Sequence, residues 1–325
     1  MIAATKSCLA ISGGVGGAKL VLGLSCQLQA DKLTIVANTG DDFEHLGFTI
    51  CPDLDTVMYT LADLADRESG WGQTGETWQF LNALEQLRGD TWFQLGDKDL
   101  ATHVVRSSEL KKGKLLSQVT HDLCQSLNIK HNLVPMTDDR VATLIHCQSG
   151  EVLAFQHYFV RDHCEPPISG YSFSGIDGAN RCPGFSRALQ DPDLGAIIIC
   201  PSNPFVSVAP VLDLDDTAEL MTEHAAPVIA VSPIVAGVAL KGPAAKMMAE
   251  LNMPSSALGV AEYYADRYPG LLDGFVLDLA DASEAMAVQA LGMAPLVVKT
   301  VMTSLPDKQK LAKDVLKFAS ELCQA

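Results

Sequence analysis

The chain has 325 residues, 48% of them hydrophobic, which is enough for a full α/β core with a subdomain attached. Its formal charge is −16; so acidic a surface disfavours nucleic-acid backbones and anionic membranes, yet leaves room for a phosphorylated small molecule held by backbone N–H groups or a cation. The nine cysteines stand singly, without a C-x-x-C pair, and read as reduced thiols rather than disulfides or a zinc cluster.

A cytoplasmic protein without membrane contact is expected, since the N-terminal stretch has no signal-peptide pattern and no apolar run reaches the roughly 18 residues of a membrane span. "CLAIS" (8–12) is a short apolar run ending in glycines, the pattern of a buried parallel strand that feeds a helix over about 18–28. "KLTIVANTG" (32–40) is the next strand, and the two open a doubly wound sheet. From 54 to 128 the strand signal is weak; "LDTVMYTLADLAD", "ETWQFLNALEQL", "KDLATHVVRSSEL" and "LLSQVTHDLCQSL" carry apolar residues at helical spacing. "RVATLIHCQSG" and "EVLAFQHYFV" flank Ser149-Gly150 as a hairpin, and "FSGIDGANRCPGFSRALQD" reads as a loop entering a helix. Strands resume at 196–204, 226–234, 274–281 and 294–302, and a last helix covers about 307–324. Strands from both ends of the chain thus enclose a helical insert.

"SGGVGGAKL" places Gly13, Gly14, Gly16 and Gly17 between the first strand and its helix. It is not a Walker A loop, because Lys19 is displaced and no Ser or Thr follows it. Nor is it the dinucleotide fingerprint, whose third glycine would fall at position 19. Two readings stay open: a glycine-lined helix N-terminus that favours an anion, or a tight β-α turn that binds nothing. "NTGDDFEHLGFTICPDLDTVMYTL" (38–61) gathers Asp41, Asp42, Glu44, Asp53 and Asp55 at a strand's C-terminal end. Asp53 suits an N-cap and Asp55 a first helical turn pointing back to the loop. Carboxylates facing a phosphate pocket call for a counter-cation, and Mg²⁺ suits few carboxylates plus phosphate oxygens; the alternative is one cap and solvated acids. "IIICPSNPFVSVAPVLDL" (197–214) repeats the strand-to-turn logic, with Ser202, Asn203 and Ser207 either bonding a phosphate or ribose or simply capping the helix. Lys241 and Lys246 lie after a third strand exit.

These segments, with "LGDKDLATH", "PMTDDRV", "FQHYFVR", "VSPIVAGVALKGPAAKMM", "GVAEYYADRY" and "VMTS", resemble in order and spacing the 2-phospho-L-lactate transferase family (CofD-like) of coenzyme F-420 biosynthesis, nearly end to end. The resemblance implies a Rossmann-like three-layer α/β/α core with a mostly parallel sheet, formed by 1–55 and 140–325, and a mainly helical insert at 56–139 that forms part of the acceptor site. It implies a homodimer that takes a phospho-lactate or phosphoenolpyruvate unit from a guanosine diphosphate ester and passes it to a ribityl hydroxyl of the deazaflavin Fo, releasing GMP, with Mg²⁺ as cofactor. On it, Asp42 and Asp55 are the expected metal ligands and catalytic acids. Asp55, Gln94 and His103 are expected to face Fo, and Arg106 is a further candidate. The glycines, Lys19, Ser202 and Asn203 would hold the donor's diphosphate or guanosine. Gln94 stands where relatives often carry a basic residue. Two other readings compete: a nucleotide-sugar-binding regulator of the same superfamily, against which "CPDLDTVMYTL" and "LGDKDLATH" weigh, and an NAD(P) oxidoreductase, against which the absent third glycine and ribose acid weigh.

Overall fold

The structure, a computed structural model, describes residues 6–66, 70–239 and 242–324. β1 (Ser7–Ser12) is buried along its whole length. Its side chains alternate between two cores, Leu9 and Ile11 into one and Cys8 and Ala10 into the other, as a strand covered on both faces requires. α1 (Gly14–Ser25) begins inside the glycines, not after them as the apolar pattern suggests. β2 (Leu33–Ala37) follows. A hairpin of β3 (Phe43–His45) and β4 (Phe48–Ile50) then interrupts the acidic stretch. Its two turn residues, Leu46 and Gly47, both have positive φ, 53° and 78°, the geometry that suits a right-twisted hairpin.

The helical run is as expected: α2 (Pro52–Leu61), α3 (Gln79–Gln86), α4 (Asp97–Lys111) and α5 (Leu116–Ser126). β5 (Asn132–Pro135) returns to the large sheet beside β2, although it lies within the stretch expected as insert. β6 (Ala142–Cys147) and β7 (Val152–Ala154) form the expected hairpin, and β8 (Ile168–Ser174) joins them in a separate antiparallel sheet. His157–Arg161, expected to continue the hairpin, coils into a π-helical turn. Then come α6 (Pro183–Leu189), β9 (Leu194–Ile199), a π-helical turn at Pro204–Val208, α7 (Ala209–Leu212), α8 (Thr217–Glu223) and β10 (Val228–Val231). A small hairpin, β11 (Ile234–Val235) and β12 (Val238–Ala239), precedes α9 (Ala244–Glu250) and α10 (Ala257–Arg267). β13 (Gly274–Leu277), α11 (Ala285–Ala290), β14 (Ala294–Val297) and α12 (Leu305–Leu322) complete the chain.

The large sheet has seven strands in the order β14-β13-β10-β9-β1-β2-β5, and each pairing in it is parallel. α1, α2 and α12 cover one face through Leu20, Leu24, Leu54, Met58, Leu311 and Val315. The small sheet, α6, α9 and α10 cover the other through Ile145, Phe185, Met247 and Val260. This is the three-layer doubly wound architecture. Each large apolar side chain so buried contributes about 1.5–3 kcal/mol, which gives a scaffold stiff enough to hold charges out of water. The strand order reverses between β1 and β9, and open α/β sheets keep their ligands in the crevice outside the strand ends at such a reversal. Among the described residues, no helix is long and apolar enough to cross a membrane.

Candidate active site at the strand reversal

A cavity of about 630 Å³ opens where the sheet reverses. The turn after β1 gives it Gly13, Gly14 and Gly16, and α1 adds Lys19; the turn after β9 gives Ser202 and Asn203. The exits of β2, β10 and β14 contribute Asp41, Ser232 and Thr300. α2 supplies Asp53, Asp55 and Tyr59, and the insert closes the far side with Trp92, Phe93, Gln94, Asp99 and His103. Sequence segments far apart in the chain therefore meet in one place. Gly17, Asp42 and the further candidate Arg106 lie outside this lining. Lys241 lies outside the described residues. Lys246 is engaged elsewhere, its Nζ 2.6 Å from Glu250, and Arg161 pairs with the neighbouring Asp162.

The glycines serve the approach of two turns. Gly14 has φ +60°, in the left-handed region that favours glycine. A Cβ on Gly16 would collide with the Pro201 carbonyl oxygen of the β9 turn. Gly17 faces Ser12 and Ser202 instead of the cavity. Ser202 ties the turns together: its Oγ accepts from Gly13 N at 3.0 Å and donates to Gly13 O at 2.8 Å. Asn203 caps the helical turn after β9, its Oδ1 accepting from Phe205 N at 2.9 Å. Asn203 thus meets the capping reading, Ser202 braces the two turns, and both line the cavity.

Asp53 is not the N-cap of α2; that place belongs to Cys51, with Pro52 opening the helix. Asp53 instead bridges the glycine turn and the β2 exit, its carboxylate accepting from Gly14 N at 2.6 Å and from Asn38 Nδ2 at 2.9 Å. Burial pushes its pKa up to about 6, against the lowering effect of the Asn38 and Gly14 bonds. Burial, and then the charge of Asp53, push Asp41 well above the carboxylate range, and Asp41 Oδ1 is buried without a partner. Two adjoining acids that resist ionising are a place where a divalent cation would relieve both.

Asp55 is built differently. Arg106, 2% exposed, reaches from α4 and grips both of its oxygens: Nη1 donates to Oδ2 at 2.9 Å and Nη2 to Oδ1. Burial works against the guanidinium charge, but Asp55 outweighs it and keeps Arg106 firmly protonated. Asp42 lies behind the cavity beside the same arginine; burial raises its pKa well above normal, opposed by a hydrogen bond from Cys51 and by Arg106. Arg106 thus pairs with Asp55, and its charge also reaches Asp42. A divalent cation at Asp55 would stand beside a buried positive charge, which disfavours it there. His103 is also buried; its Nδ1 is 3.3 Å from Arg106 Nη1 and 3.7 Å from Asp55 Oδ2, and its Nε2 is 3.3 Å from Asp99 Oδ2. Tyr59 donates to Asp99 at 2.6 Å. Burial opposes the Asp99 anion, but His103, Tyr59 and Arg106 hold its carboxyl below the usual range.

The mouth of the cavity is aromatic. Phe43 and Phe93 meet edge to face at 4.9 Å, and Trp92 packs against His45 at 5.1 Å and His157 at 4.9 Å. Gln94 is exposed at this rim. Trp92 and Phe93 carry no charge or motif spacing, so the chain alone does not single them out. Asp99 was findable: with the two candidates His103 and Arg106 it lies on one face of α4, four residues before His103, which precedes Arg106 by three.

Fold and site together define a doubly wound α/β protein of Rossmann type whose acid-lined cavity lies at the strand reversal and is roofed by inserted helices. The chain belongs to the 2-phospho-L-lactate transferase CofD family, which it matches over residues 8–318. It is 38% identical over 319 residues to a phosphoenolpyruvate transferase of Kitasatospora aureofaciens, covering 97% of this chain and 98% of that one. It is 35% identical over 313 residues to a 2-phospho-L-lactate transferase of Methanosarcina acetivorans, covering 96% and 99%. The crystal structure of a UPF0052-family protein from Bacillus halodurans superposes with a TM-score of 0.65 at 13% identity, over 96% of this chain and 99% of that chain; at that identity the likeness concerns the fold.

Proposed function

We propose that the protein is a transferase of coenzyme F-420 biosynthesis, moving a phospho-lactate or phosphoenolpyruvate unit from a guanosine diphosphate ester to the ribityl hydroxyl of Fo and releasing GMP. The carrying observation is the composition of the single cavity at the reversal. One half is a helix N-terminus with glycine backbone, suited to a diphosphate. The other half is aromatic, suited to a planar ring system. Asp55 lines the same cavity.

In this reading the acceptor hydroxyl oxygen attacks the phosphorus that carries the acid. The phosphorus–oxygen bond to GMP breaks, GMP takes the electron pair, and the hydroxyl proton is released to solvent. Such a reaction asks the protein mainly to align and to neutralise. The helix end, Lys19 and the braced Ser202 turn hold the diphosphate. Asp55, its carboxylate gripped by Arg106, accepts a hydrogen bond from the hydroxyl and aims its oxygen. Asp53 already takes one N–H of the glycine turn, so a diphosphate arrives beside two acids and needs a counter-charge. Mg²⁺ on Asp41 and Asp53 would supply charge neutralisation of the diphosphate when bound. The reading includes a cytoplasmic homodimer. It is tested by incubating the protein with Mg²⁺, Fo and each donor, carrying lactate, enolpyruvate or glycerate, and following GMP release. GMP should appear with one donor and only when Fo is present; no release with any donor refutes the reading.

A further inference from the structure

The buried chain of groups behind Asp55 is larger than a single ion pair, and it runs through the inserted helix α4. Arg106 makes the fork-to-fork contact with Asp55. That geometry fixes a carboxylate's plane as well as its charge. Behind the guanidinium, His103 Nδ1 stands 3.3 Å from Nη1, where its lone pair accepts from Arg106. His103 Nε2 faces Asp99, and Tyr59 from α2 anchors Asp99. The chain therefore starts and ends on α2 and passes through α4, with His103 and Arg106 no more than 2% exposed.

Resting on the function proposed above, we propose that Arg106 and His103 are positioning residues. They hold the Asp55 carboxylate in the one orientation that meets the acceptor hydroxyl, so that alignment at the strand reversal depends on how the insert docks against α2. Three features carry this. The contact is two-pronged, which a charge-neutralising role alone does not need. Lysine cannot reproduce it. Asp55 lines the cavity while Arg106 does not, so the arginine acts only through the acid.

The test combines kinetics and crystallography on the full chain. Arg106→Lys keeps the charge and loses the fork; kcat should fall about 100-fold, and His103→Asn, which keeps an acceptor near Nδ1, about 10-fold, with KM for the guanosine donor unchanged in both. Asp55→Asn with Arg106→Lys should be no slower than the slower single variant, because the pair acts as a unit. A merely structural arginine would lower melting temperature and give additive kinetic losses. Additive losses, or wild-type kcat in Arg106→Lys, overturn the proposal. A crystal structure of Arg106→Lys should show the Asp55 carboxylate turned from its wild-type orientation. An unturned carboxylate overturns the positioning role whatever reaction the enzyme performs. Absence of GMP release by the wild type refutes the functional reading and leaves that crystallographic arm decisive by itself.

Discussion

Ser202 braces the two turns on which a donor diphosphate would rest, and removing its hydroxyl has a calculable cost. In Ser202→Ala the Gly13 N–H loses its acceptor in a position sealed from water, since Ser202 is 5% exposed. An unpaired buried donor costs about 1–3 kcal/mol. The Gly13 carbonyl also loses a donor, but as the N-cap carbonyl of α1 it already accepts the first intrahelical bond, so its share is smaller. A total near 2 kcal/mol is expected. At about 2.1 cal/mol/K of unfolding entropy per residue, a chain of 325 residues unfolds with about 0.7 kcal/mol/K. The melting temperature should therefore fall by about 3 °C. The functional effect should be larger in proportion, because the turns lose their register: KM for the guanosine donor should rise about tenfold with KM for Fo unchanged. Differential scanning fluorimetry and steady-state GMP release measure the two. A Ser202→Ala protein with unaltered melting temperature and donor KM would refute the bracing role.

Gly16→Ala drives a Cβ into the Pro201 carbonyl; the forced separation of the turns should cost about 1–3 kcal/mol and weaken guanosine nucleotide binding in calorimetry, while Fo binding persists. Asp41→Asn replaces a buried acid whose pKa is raised, so the folded wild type favours its protonated form. That form is fully present below the unfolded value of about 3.9, and its stabilising effect is lost as pH rises. The variant should match wild type in melting temperature near pH 4 and exceed it increasingly toward pH 8 without metal. Millimolar Mg²⁺ should stabilise wild type at pH 8 and not the variant; a pH-independent difference would count against buried acids as the cause. Trp92→Ala removes the ring that packs between His45 and His157, and should raise KM for Fo at least tenfold, as expected for loss of about 1.4 kcal/mol or more of aromatic contact, with donor KM intact by the same GMP assay.

The seven-stranded sheet was legible where strands are fully buried, because "CLAIS" and "AIII" can be nothing but apolar on both faces. It was illegible at its edge: β5 is four residues, Asn132–Pro135, with only the first exposed and no alternation to detect. The β3–β4 hairpin escaped for a related reason, since Leu46-Gly47 lacks the Asn-Gly or Asp-Gly signature of its turn type. Within the site, the acidic stretch sends Asp41, Asp53 and Asp55 to the cavity, and composition alone does not say which of its members these are. Asp41 and Asp42 are neighbours in a tight turn, where Asp42 N bonds Thr39 O at 3.2 Å, and adjacent side chains leave such a turn in different directions. Which one reaches the cavity is a property of the turn, not of composition. The same holds for Asp53 and Asp55, both in the first turn of α2 and nearly opposite each other around its axis. What separates their roles is Arg106, 51 residues further along, which neutralises one acid and leaves the other beside Asp41. A carboxylate's chemistry is set by the charge that folding brings to it, and here that charge arrives on a helix whose own sequence reads as an ordinary amphipathic segment.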